Sequence, residues 1–110
     1  MSNIVVQKFG GTSLADTDRF KAVAKIIKDT SKKGKKVVAV VSAMAGETQR
    51  LIDLAKKVQE TPDPREYDAL ISSGEQVSVA LLAMTLRNEK VKSKSYTAFQ
   101  LGLRTDDYHG

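Results

Sequence analysis

The sequence predicts an α/β fold, an open and mainly parallel sheet with flanking helices. Three observations carry that expectation. Asn3 to Phe9 is β-branched and apolar and runs into Gly10-Gly11, as a buried strand ending in a tight loop does. Phe20, Val23, Ala24 and Ile27 then recur at helical spacing. Val37 to Val41 is a continuous valine-rich run, the pattern of a strand covered on both faces. Strands that alternate with helices demand parallel pairing through crossovers.

The elements follow in order. Asp16 or Thr17 caps the first helix, Lys21, Lys25 and Lys28 lie opposite its apolar stripe, and Gly34 ends it in a left-handed conformation. After the second strand, Ser42 to Gly46 reads as a loop of small residues. A second helix starts near Thr48, with Leu51, Ile52, Leu54, Ala55 and Val58 turned inward, and stops at Pro62 and Pro64 around a turn at Asp63. From Arg65 the pattern is helical again. Gly74 interrupts it, because a mid-helix glycine costs ~1 kcal/mol against alanine, so a break or bend is expected at Ser73-Gly74. Val77, Ala80, Leu81 and Met84 resume the inward face. Ser95 to Phe99 reads as a third strand, and no internal repeat or linker divides the chain.

Composition narrows the function. The chain has 110 residues, 41% hydrophobic, enough for a core and too many for a disordered tail. Lys and Arg number 18 against 13 Asp and Glu. Four of the lysines (Lys32, Lys33, Lys35, Lys36) flank Gly34, and without them the balance is 14 to 13. That is one solvated turn, not the spread basic face of a nucleic-acid binder. The absence of Cys removes disulfides, thiolate metal sites and a cysteine nucleophile. Apolar runs such as Val37 to Val41 are too short to cross a bilayer, and Met1-Ser2-Asn3-Ile4 lacks a secretion signal, so no membrane partner and a cytoplasmic location are expected.

Ligands of open parallel sheets bind at the carboxyl ends of the strands. There Lys8-Phe9-Gly10-Gly11-Thr12-Ser13 combines an ammonium, bare backbone amides, two hydroxyls and a following helix N-terminus. Those parts suit a phosphate, and they equally suit a plain glycine turn. The spacing fits neither a P-loop nor Gly-x-Gly-x-x-Gly.

Four stretches in order carry a resemblance. Lys8 to Ser13 is similar to the opening motif of aspartokinases in the amino acid kinase family. Val41-Ser42-Ala43-Met44-Ala45-Gly46-Glu47-Thr48 resembles that family's second-strand loop, and Ser72-Ser73-Gly74-Glu75 its Ser/Thr-Gly-Glu element. Ser95-Tyr96-Thr97 through Gln100, Gly102 and Thr105-Asp106-Asp107 resembles the stretch that follows, with Ala98 and Phe99 where relatives often carry Gly and Trp.

The resemblance implies the amino acid kinase (carbamate kinase-like) fold, of which residues 1–110 would be the N-terminal, substrate-side part. The nucleotide half and the regulatory domains would lie outside it. It implies transfer of the ATP γ-phosphate to the side-chain carboxylate of L-aspartate, the first step towards lysine, threonine and methionine. Lys8 would be catalytic, lying against the transferred phosphate. Lys8, Phe9, Gly10, Gly11 and Ser13 would bind ATP, and Ser42, Thr48 and Glu75 the substrate. The substrate's ammonium gives Glu75 its reason to be in an anion-binding cleft. Gly74 would let a ligand approach the backbone.

No metal ligands are expected in the chain, Mg²⁺ arriving with ATP. Asp106-Asp107 and His109 read as solvated, Met44 as packing, and Glu47 and Arg50 as a surface pair from which Arg50 could also reach an anion. Unpaired sheet edges point to a homo-oligomer. The alternatives are a kinase of another small carboxylate from the same superfamily and a non-catalytic anion-binding module. Acetylglutamate kinases carry Asn-Ala where this chain has Thr12-Ser13.

Overall fold

Strand β1 (Ile4–Gly11) lies parallel to β2 (Lys36–Met44), with Ile4 beside Lys36 and Phe9 beside Val41. After Phe9 the register shifts, so that Gly11 meets Met44. A 3-10 turn at Thr12–Leu14, then helix α1 (Thr17–Lys32), connects the two strands; α2 (Glu47–Val58) and α3 (Pro64–Asn88) follow β2. The computed structural model describes residues 3–96.

Helix α1 forms as its sequence dictates. The Asp16 carboxylate accepts the Arg19 amide at 2.9 Å, and Gly34 beyond its end has φ of +82°. Phe20, Val23, Ala24 and Ile27 are all buried, on a core with Leu14, Val41, Leu82 and Leu86. Each of the larger of these side chains contributes about 1.5–3 kcal/mol on leaving water. Gln7, on the same face of the sheet, donates from Nε2 to Thr30 Oγ1 at 3.0 Å and ties β1 to α1.

Three features differ from the sequence-based expectation. First, helix α3 runs unbroken through Ser73 and Gly74. Its buried stripe is Gly74, Ser78, Leu82 and Leu86, whereas Val77 and Met84 are 48% and 64% exposed. Gly74 is there for close approach: a Cβ on it would lie 3.2 Å from Ala43 Cβ and 3.3 Å from Leu51 Cδ1. Second, among the described residues the helices cover one face of the sheet, and Ile4, Val6, Val38 and Val40 on the other face are about half exposed. Third, on α2 only Leu51 is buried, and Val58 is 88% exposed.

Boundaries move as well. β1 absorbs Gly10 and Gly11, and β2 runs on to Met44, which leaves Ala45-Gly46 as the turn. Asp63 is the N-cap of α3, its carboxylate accepting the Glu66 amide at 3.0 Å. Ser95 and Tyr96 are irregular, and the rest of the expected third strand lies outside the described residues, as do Gln100, Gly102, Thr105, Asp106, Asp107 and His109. By length and composition α3 could also cross a membrane, with a mean hydropathy of 1.4 over its best 18 residues. Unbroken runs miss this, because isolated polar residues interrupt an otherwise apolar helix. Here its buried stripe packs against β2, α1 and α2.

Candidate functional site

The tips of β1 and β2 touch at Gly10. A Cβ there would fall on Ser42 Oγ and lie 3.2 Å from Ser42 Cβ, so any larger residue at position 10 would have to turn the Ser42 hydroxyl aside and crowd its Cβ. Gly11 has φ of +57°, turning the chain into Thr12–Leu14, where fully buried Leu14 anchors the loop. Thr12 and Ser13 stay exposed. Phe9 packs its ring against the core, so its peptide group is what it offers a ligand. Lys8 stands beside Val40 on the open face, and its side chain has no partner among the described residues.

The helix after this loop is not the expected anion site. Asp16 already occupies the N-terminus of α1. The open helix end belongs to α2, whose N-cap Gly46 has φ of +81° and supplies no side-chain acceptor. Its first-turn amides are left to a ligand or to water. Exposed Thr48 sits in that turn.

Glu47 leads the same turn. Arg50 holds its carboxylate with two hydrogen bonds, Nη2 to Oε1 at 2.6 Å and Nε to Oε2 at 3.1 Å. The hydrogen bond from Arg50 keeps the Glu47 carboxyl below the usual carboxylate range and raises the guanidinium in turn. The Glu47 stem leans on α3: its Cγ would be 3.5 Å from a Cβ on Gly74. Glu75 follows directly, exposed and without an ionic partner among the described residues.

The expected site residues therefore fall into two groups at the end of β2. Lys8, Phe9, Gly10, Gly11 and Ser13 lie along the β1 tip, where Gly10 meets Ser42. Thr48 and Glu75 flank the junction of α2 with α3, reached through Ala43. Adjacent residues of β2 link the groups, Ser42 touching Gly10 and Ala43 touching Gly74. No hydrogen bond or ion pair among the described residues joins Lys8 to Thr48 or Glu75. The space Gly74 provides is filled by protein, not left for a ligand. The Glu47–Gly74 contact had no signal in the sequence beyond a small residue in an apolar helix.

No three His, Cys, Asp or Glu side chains among the described residues gather to hold a metal ion. The donors among the described residues do not form a Mg²⁺ cage.

Comparison with known proteins gives the family. The chain is 51% identical over 106 residues to "Aspartate kinase Ask_LysC" of Stutzerimonas stutzeri, covering 96% of this chain and 26% of the relative. It is 48% identical over 107 residues to an aspartokinase of Geobacillus stearothermophilus, again covering 26% of that relative. The chain thus spans about a quarter of the length of the curated relatives it matches. The crystal structure of aspartate kinase from Synechocystis superposes with a TM-score of 0.76 at 49% identity, over 78% of this chain and 15% of that one. The profile of the amino acid kinase family matches residues 3–109. With parallel strands, flanking helices and a glycine-tipped β1, the chain belongs to the amino acid kinase family.

Proposed function

We propose that this chain is the N-terminal, substrate-side part of an L-aspartate kinase domain. What supports the reading is a glycine strand tip against Ser42 and an uncapped helix end just beyond Met44, both at the carboxyl end of β2, with Lys8 unpaired beside Val40. Relatives named aspartate kinase at about 50% identity support it.

In the proposed reaction an oxygen of the substrate's side-chain carboxylate attacks the γ-phosphorus of ATP. The bond from that phosphorus to the β-phosphate oxygen breaks, giving aspartyl phosphate and ADP. The attacking carboxylate is already ionised, so no general base is needed. Phosphoryl transfer of this kind depends on positioning and charge stabilisation. Lys8 neutralises the approaching anions. The peptide groups of Phe9, Gly10 and Gly11, with the Ser13 hydroxyl, hold phosphate oxygens. Ser42 and Thr48 orient the substrate, the open N-terminus of α2 favours its carboxylate, and Glu75 receives its ammonium. The product would feed lysine, threonine and methionine synthesis, in the cytoplasm and in a homo-oligomer.

Calorimetry with L-aspartate and with sulfate tests the reading. Aspartate is expected to bind preferentially, and Glu75→Gln to remove the preference. Equal binding of both anions would instead identify a non-catalytic anion module. A coupled assay is expected to show no ATP- and aspartate-dependent turnover by the 110-residue chain, which spans about a quarter of its relatives' length and would lack the proposed nucleotide half.

A further inference from the structure

The junction of α2 with α3 carries two carboxylates, and the chain treats them differently. Glu47 is fixed at both ends, with its stem against Gly74 and its head in the two-pronged grip of Arg50. Glu75, one residue beyond Gly74, has no ionic partner among the described residues. The other element packed here, β2, contributes Ala43 and no charge. A site for an amino acid of net negative charge tolerates one free acid, to meet the ammonium; a second would repel the ligand.

We propose that Arg50, acting through Glu47, is a positioning residue of the substrate site: it ties down the second carboxylate and leaves Glu75 as the acid that meets the ammonium. This rests on the aspartate reading above. A guanidinium suits the task, because its planar fork engages both oxygens of a carboxylate at once.

The test uses the 110-residue chain and four proteins: wild type, Arg50→Ala, Arg50→Lys and the double variant Glu47→Gln/Arg50→Ala. Carboxyl NMR follows the titration of Glu47, and calorimetry follows L-aspartate binding. In the wild type Glu47 titrates below the ordinary glutamate range, and in Arg50→Ala it returns to that range. Arg50→Ala weakens aspartate binding by up to about fivefold, the scale of an exposed charge coupling. Arg50→Lys keeps most of the affinity. The double variant restores it, since without the Glu47 charge Arg50 has nothing left to neutralise.

Failure of the double variant to recover would mean that Arg50 touches the ligand directly, which overturns the proposal. An ordinary Glu47 titration in the wild type overturns it whatever the ligand does. A low Glu47 titration in a wild-type chain that ignores aspartate defeats the substrate reading itself, and reduces the Arg50 grip to a surface ion pair.

Discussion

The two strand tips solve the same problem in opposite ways. At the end of β1 the helix that follows is closed by its own Asp16, and the exposed amides belong to glycines. At the end of β2 the strand residues carry side chains, and the helix is left open by Gly46. In the proposed site an anion would meet backbone at both places, a loop in one and a helix end in the other. A glycine-rich loop before a helix does not therefore identify the helix as the binding element. What closes the helix decides that.

The largest expected effect breaks the first tip. Gly10→Ala puts a methyl group onto Ser42 Oγ and is expected to cost about 3 kcal/mol, at the upper end of overpacking. Adding Ser42→Gly should recover most of that loss, and urea unfolding of the single and double variants measures the coupling. Next comes the second tip. Gly74→Ala gains ~1 kcal/mol of helix propensity but crowds Ala43, Leu51 and Glu47, for a net loss of about 1 kcal/mol by the same measurement. A gain in stability would show that Leu51 and Glu47 simply move aside.

Capping sharpens the contrast further. Asp16→Ala should cost about 1 kcal/mol by leaving the Arg19 amide without its acceptor. At the α2 cap the requirement is conformational, so Gly46→Ala should lose a similar ~1 kcal/mol through its positive φ. There Gly46→Asn should be milder, because asparagine tolerates the left-handed region.

The smallest effect is the pH dependence of the Glu47–Arg50 pair. The folded-state value of Glu47 is depressed, chiefly by its hydrogen bond from Arg50. Its stabilisation is therefore complete above the ordinary glutamate range and fades as pH falls through the lowered value. Melting temperatures of wild type and Arg50→Ala should differ slightly near neutrality and converge in acid.

Legibility from sequence varied with how one-sided each segment is. In α1 lysines oppose the stripe of Phe20, Val23, Ala24 and Ile27, so periodicity alone orients the helix. Helix α3 is apolar around much of its circumference, and several phases satisfy its pattern equally. The expected inward residues Val77 and Met84 face out, because the helix turns the stripe of Gly74, Ser78, Leu82 and Leu86 towards its neighbours. Among the site residues, the loop Lys8 to Ser13 announced itself through its glycines. The grip of Arg50 on Glu47 needs only three residues of helix and was visible as a spacing. Its contact with Gly74 joins segments 27 residues apart, and nothing local encodes it.

Local chemistry was thus enough to establish the order of strands and helices, the cap of α1 and the chemistry of the glycine loop, since each depends on neighbours along the chain. Packing settled the phase of α3, the purpose of Gly74 and which helix end stays open at the site. Those outcomes turn on which surfaces approach most closely, and close approach is a property of pairs of elements that no single segment carries.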